Sequence, residues 1–102
     1  MALIGTYLKQ LRKTRGFTCV VAANHLGVTH SYVSMIETNK RIPHKEYLEK
    51  ASNFYKTEFR VLVAYTLYTD ILNRIESYNV PVELTLKEIE KCIQKKRKEP
   101  SV

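Results

Sequence analysis

Cysteine is nearly absent: Cys19 and Cys92 are the two in 102 residues. Two thiols make no disulfide framework, and they point to a reducing, cytoplasmic setting. Together with His25, His30 and His44 they show no C-x-x-C or H-x-x-x-H spacing. No metal site and no cofactor are therefore expected. Glycine-rich phosphate loops are missing too, and no Ser/His/Asp, Cys/His or paired-carboxylate constellation is legible, so the chain does not read as an enzyme. There is no low-complexity segment and no internal repeat. The opening MALIG is too short for a signal-peptide core, and no small-residue cleavage site follows. Charge is absent from Gly16 to Ile36, a window long enough to cross a bilayer by length alone. That window carries Thr18, Asn24, His25, Thr29, His30, Ser31 and Ser34, too many polar groups for lipid, so no membrane partner is expected.

What is present is an ordinary globular composition, 44% apolar and 26% charged. The length suits one small domain with an appended element. The net charge is +7, unevenly spread. Residues 1–43 hold Lys9, Arg12, Lys13, Arg15, Lys40 and Arg41 against one acid, Glu37. Residues 44–94 are nearly balanced, and a basic run, Lys95 to Lys98, closes the chain before Glu99. The excess at the front is the footprint of a polyanionic partner, while the tail reads either as a solvated end or as an auxiliary phosphate-binding arm.

Periodicity predicts helices throughout. Ile4, Leu8 and Leu11 recur at helical spacing, ending at Gly16. Thr18 caps a short helix through Leu26, and Gly27 stops it. Thr29 caps the next, with Val33 and Ile36 inward, ending near Thr38-Asn39. After a break at Pro43, a helix from about Lys45 to Tyr55 buries Leu48, Ala51 and either Phe54 or Tyr55. Thr57 caps a long helix over 58–77, and Asn79-Val80-Pro81 ends it. Thr85-Leu-Lys-Glu88 is a capping box that predicts a last helix starting at Leu86, with Ile89 and Ile93 on its apolar face. Val82, Leu84 and Leu86 alternate like a short extended segment, although no strand is expected.

The short pair joined by Gly27-Val28-Thr29 carries the functional signal. A helix-turn-helix unit needs a small residue where its helices approach, a residue free to take positive φ in the turn, and inward apolar groups on the second helix. Ala23, then Gly27 four residues on, then Val33 and Ile36 meet all three requirements. The runs IGTYLKQLRKTRGFT from Ile4, AANHLGVTHSYVSMIE from Ala22 and NKRIP from Asn39 resemble the Cro/phage-repressor (XRE) helix-turn-helix family. The likeness continues more weakly through Leu48, Ala51, Phe54 and Val61-Leu62. It implies a five-helix repressor-type helix-turn-helix domain over 1–63, and the helical periodicity beyond it adds a C-terminal helical extension over 64–102, so that the fold expected is all-α.

The resemblance implies that the helix from Thr29 to Glu37 enters the major groove of double-stranded DNA. His30, Ser31 and Met35 match the family's base-reading positions, flanked by Tyr32 and Ser34. Thr18, Cys19, Thr29, Thr38, Lys40 and Arg41 match its backbone-contacting region, and Lys9 and Lys13 add cations for phosphates. Arg12 and Glu37 match a structural ion pair, which accounts for the single acid in a basic region. Cys19 stands where the family often has a glutamine, and a thiol donates poorly. Asn39 replaces a common glycine and tolerates the left-handed conformation. Val20 and Val21 replace a more polar pair and leave apolar surface that another element or a partner must cover.

Beyond the likeness, Ala64, Tyr68, Ile71 and Ile75 recur at spacings of 4, 3 and 4, widened by Leu72. This seam is expected to form a homodimer, which suits palindromic half-sites. Packing inside the chain is its plainer alternative. The function expected is a sequence-specific transcriptional regulator, most simply a repressor occupying its operator. The competing expectation is a protein–protein interaction module of antitoxin or anti-repressor type, with a protein or peptide regulator as partner.

Overall fold

In a computed structural model, residues 3–98 are described and are all-helical. Six helices follow in chain order: α1 (Ile4–Thr14), α2 (Cys19–Leu26), α3 (His30–Glu37), α4 (Lys45–Phe54), α5 (Phe59–Ser77) and α6 (Val82–Lys98). No strand occurs among the described residues. The chain divides into two compact units, Met1–Asp70 and Ile71–Val102, and α5 contributes to both. Glu99 of the basic tail lies outside the described residues.

In the first unit, α1 packs on α3, and α2 packs on both α3 and α4. Ile4, Leu8 and Leu11 of α1 meet Ala22 and Leu26 of α2, Ile36 of α3, Leu48, Ala51 and Tyr55 of the α4 segment, and Leu62 of α5. Between the two aromatics at the end of α4, Tyr55 takes the core position, while Phe54 is half-buried. The Phe54 ring stacks on Phe17 at 4.6 Å and on His25 at 4.7 Å, capping the core's edge.

The caps explain the boundaries. Thr18 Oγ accepts from the Val21 N–H at 3.2 Å, and Thr29 Oγ accepts from the Tyr32 N–H at 3.1 Å. Gly27 closes α2 with φ 67°, and the Val28 N–H reaches back to the Ala23 carbonyl. These are the bonds of a left-handed helix stop. Asn39 ends α3 in the same way, with φ 61° and the Lys40 N–H on the Met35 carbonyl.

The start of α1 is solved differently. Leu3 offers no side-chain cap. Instead the Ile4 N–H donates to Thr69 Oγ1 at 2.9 Å, and the Gly5 N–H donates to Asn39 Oδ1 at 2.8 Å. Two donors that no local residue satisfies are thus taken up by α5 and by the turn after α3. Gly5 is required by this approach, because a Cβ there would lie 2.1 Å from the Ile36 carbonyl oxygen.

The last helix departs from the sequence expectation. It begins at Val82, not Leu86, so Thr85 lies inside it and no capping box forms. Pro81 directs the start: its carbonyl accepts both the Thr85 N–H at 3.1 Å and the Thr85 hydroxyl at 2.7 Å. A proline needs no helical partner at such a boundary. The alternation of Val82, Leu84 and Leu86 accordingly lies within a helix. In the second unit Ile75 is buried and Ile71 and Leu72 are half-buried, whereas Tyr78, Val80, Leu84, Ile89 and Ile93 stay exposed. Ile71, Ile75, Val80 and Ile89 line an apolar groove there.

Two buried phenols, Tyr47 and Tyr55, set a pH limit, both raised chiefly by burial. The Tyr55 hydroxyl is buried without a hydrogen-bond partner. Burial, reinforced by the nearby Glu37 charge, pushes its phenol from 10.0 up to about 12. A pKa raised on folding stabilises the fold fully below the ordinary value, and that contribution disappears as pH climbs towards the folded one. Thermal melts should therefore show stability falling between pH 10 and about 12. Tyr55→Phe should lessen that fall, Tyr47 carrying the remainder, and leave neutral-pH stability equal or higher, since the lost hydroxyl bonds nothing. An unchanged alkaline limb would assign the loss to other groups.

Candidate nucleic-acid interface

Helix α3 advances about 100° per residue, which sorts its side chains into two sets. Val33, Ile36 and Glu37 are buried, while His30, Ser31, Ser34 and Met35 are exposed on the opposite side. The residues matched to base reading are thus held outward by a locked inner face. Tyr32 sits on the flank of this surface, half-buried, with its ring against Tyr47 and under the Arg41 guanidinium.

The inner face is anchored by charge. Arg12 and Glu37 are only 7% and 6% exposed. The Arg12 Nε donates to both Glu37 carboxylate oxygens at 2.9 and 3.1 Å, and its Nη2 donates to Oε1 at 3.0 Å. The remaining Nη1 donates to the Phe17 carbonyl at 2.8 Å. One guanidinium therefore ties α1, the turn before α2, and α3. Hydrogen bonding to Glu37 raises the Arg12 pKa further above its already high value. A buried pair of this geometry, with its hydrogen bonds satisfied, fixes how α3 sits on α1.

Exposed cations lie on α1 and in the turn that follows α3. Lys9 and Lys13 stand exposed on α1, and Lys40 and Arg41 stand exposed in the turn after α3. Arg15 is exposed as well, but its Nε donates to the Tyr55 carbonyl at 2.9 Å, a structural use. Thr18 and Thr29 are exposed as caps, and the Thr38 hydroxyl donates to the Ser34 carbonyl at 2.8 Å. Cys19 is half-buried, with its Sγ 3.9 Å from Glu37 Oε1. Its thiol is directed at the ion pair, which accounts physically for a cysteine where a polar donor stands in the family.

The seam residues are dispersed. Ala64 is exposed, Tyr68, Ile71 and Leu72 are half-buried, and Ile75 is buried. Sequence reasoning missed three groups: Asn39 as a bridge to Gly5 and Thr6, Thr69 as the cap of α1, and the Tyr32–Tyr47 contact. The left-handed tendency of asparagine was the only signal for any of them, and it marked the turn but not the bridge. No cluster of three or more His, Cys, Asp or Glu side chains capable of holding a metal occurs among the described residues. No described helix is long and apolar enough to cross a membrane.

Comparison with known proteins agrees with this geometry. A family described as a helix-turn-helix domain matches residues 3–64. The master regulator for biofilm formation SinR, solved in complex with DNA, is 35% identical over 60% of this chain and 98% of that one, with a TM-score of 0.56. The N-terminal DNA-binding domain of SinR from Bacillus subtilis is 36% identical over 59% of this chain and 88% of that one, with a TM-score of 0.55. The SinR–SinI complex covers 94% of this chain and 100% of that one at 23% identity and a TM-score of 0.58, a likeness of fold alone. No curated protein matches the chain. With the match spanning both helices of the motif and the core that supports them, the chain belongs to the XRE-type helix-turn-helix family.

Proposed function

We propose that this protein is a sequence-specific DNA-binding transcriptional regulator, a repressor that occupies a palindromic operator as a homodimer. The observation that carries the reading is the exposed face of α3, where His30, Ser31, Ser34 and Met35 stand outward beside Lys40 and Arg41. Its 35% identity to SinR, solved on DNA, supports it. The work is binding, not catalysis. His30 donates to a guanine acceptor, Ser31 adapts to either partner, and Met35 packs on a thymine methyl. None of these is a bidentate reader, so direct readout is modest. Lys9, Lys13, Lys40, Arg41 and the N–H groups opening α2 supply affinity through phosphates.

The dimer is formed by the second unit, whose Val80, Leu84, Ile89 and Ile93 leave apolar surface exposed. Ile71 and Ile75 line the groove beside Val80 and Ile89. Two copies double the phosphate contacts and place two α3 helices on half-sites about one helical turn apart. Sedimentation at tens of micromolar should give a dimer, and a monomer with and without operator would remove this part of the reading.

Binding to a duplex should fall steeply with salt. For a dimer making about eight phosphate contacts, the loss from about 50 to 200 mM salt is on the order of 10⁴-fold. A flat response overturns the proposal. Selection from random DNA should return a two-fold symmetric motif. A second reading is favoured by Val20 and Val21, exposed at 57% and 38%, which suit a protein or peptide regulator docking in antitoxin or anti-repressor fashion. Absence of DNA retention together with capture of such a partner would select it.

A further inference from the structure

Tyr32 lies in the recognition helix, yet its ring is placed unlike the other outward residues. On a helix of about 100° per residue it is roughly 160° from both His30 and Ser34, on the far side of Met35. Its ring packs against Tyr47 at 5.3 Å with an interplanar angle of 58°. Tyr47 is buried in the core, so the shelf has a rigid support. Arg41 Cζ lies over the same ring, 5.0 Å from the Tyr32 centroid. The Tyr32 N–H is held by Thr29 Oγ, which fixes the backbone under the ring. Three residues from three separate segments thus meet at one ring: Tyr47 from α4 and Arg41 from the turn after α3 both contact Tyr32 of α3.

We infer that Tyr32 is a positioning residue for DNA binding and not a base reader: its ring presets the Arg41 guanidinium beside the recognition helix for a phosphate of the duplex backbone. The inference rests on the DNA-binding reading. A guanidinium stacks through its flat face and keeps its N–H edge free, whereas an ammonium has no such face. Among the described residues no carboxylate pairs with Arg41, so that edge is open to an external anion. Its side chain is exposed, and without a shelf it would sample many rotamers before binding. Preorganisation removes part of that ordering loss. Lys40, its neighbour, rests on no ring among the described residues and contributes charge without direction.

A double-mutant cycle tests this, read as affinity for a random-sequence duplex of about 25 base pairs at low salt. Tyr32→Phe keeps the ring and should bind within about twofold of the parent, while Tyr32→Leu should bind about two- to fivefold more weakly. In an Arg41→Ala background the Tyr32→Leu loss should vanish. Arg41→Lys, which leaves the core untouched, should lose about two- to threefold. Equal Tyr32→Leu losses in both backgrounds would overturn the inference, because the ring would then act without Arg41. Arg41→Lys binding as well as the parent would overturn it too. A Tyr32→Phe loss matching Tyr32→Leu would place the hydroxyl itself on DNA and overturn it likewise. A parent that fails to bind the duplex at any salt overturns the DNA reading as a whole. A parent that binds while the losses add overturns this inference alone.

Discussion

Lys40→Glu combined with Arg41→Glu is expected to weaken duplex binding about a hundredfold near 100 mM salt. Both side chains are exposed, and neither takes part in an ion pair of the folded chain among the described residues. Reversing them replaces two attractions to phosphate by two repulsions without opening the core. Each change is worth on the order of 1–1.5 kcal/mol, since each removes an attraction and adds a like-charge repulsion at the same place. The fold should survive, because the turn depends on Asn39 and not on these side chains: Asn39 supplies the left-handed residue and the hydrogen bond to Gly5. Fluorescence anisotropy on a labelled duplex, beside a thermal melt of the same variant, measures both. Undiminished binding by a folded double variant would remove the turn from the interface and with it the proposed orientation of α3.

The largest effect on stability belongs to the Arg12–Glu37 pair. Glu37→Ala leaves a guanidinium that is 7% exposed without its counter-ion. Such an orphaned buried charge costs about 3–5 kcal/mol. That is a large share of the roughly 5–15 kcal/mol available to a domain of this size. The denaturation midpoint should fall accordingly, and DNA binding should fall with it, because α3 loses its tie to α1. Arg12→Met with Glu37→Leu should recover most of the loss, since two apolar groups of similar volume leave neither charge stranded. Recovery should be incomplete: the Arg12 Nη1 also satisfies the Phe17 carbonyl at 2.8 Å, and methionine cannot. A small effect of Glu37→Ala alone would show that water reaches Arg12 and that the pair does not anchor the interface.

The same contrast separates what could be read along the chain from what could not. Caps at Thr18 and Thr29, the stop at Gly27 and the inward Val33 and Ile36 act over three or four residues, within the reach of helical periodicity. The unit that presents His30, Ser31 and Met35 was accordingly legible. The start of α6 was not. Two signals competed there, a capping box at Thr85 and a proline boundary at Pro81, and both are locally sound. The proline prevailed because it permits one more helical turn, through which Val82, Thr85, Leu86 and Ile89 join a single continuous helix.

From order and spacing came the helix-turn-helix unit with its inward and outward faces, while the resemblance to a family pointed to the pairing of Arg12 with Glu37. The caps, the stop and the two faces of the short helices rest on interactions between near neighbours, whose geometry a helix of known pitch dictates. Folding in three dimensions decided that Thr69 finishes α1 from 65 positions away, that Asn39 clasps Gly5, and that Cys19 turns towards Glu37. It also decided that Tyr32 leans on Tyr47 beneath Arg41. Each of those depends on which distant surfaces meet, and a linear pattern of polar and apolar residues carries no record of that.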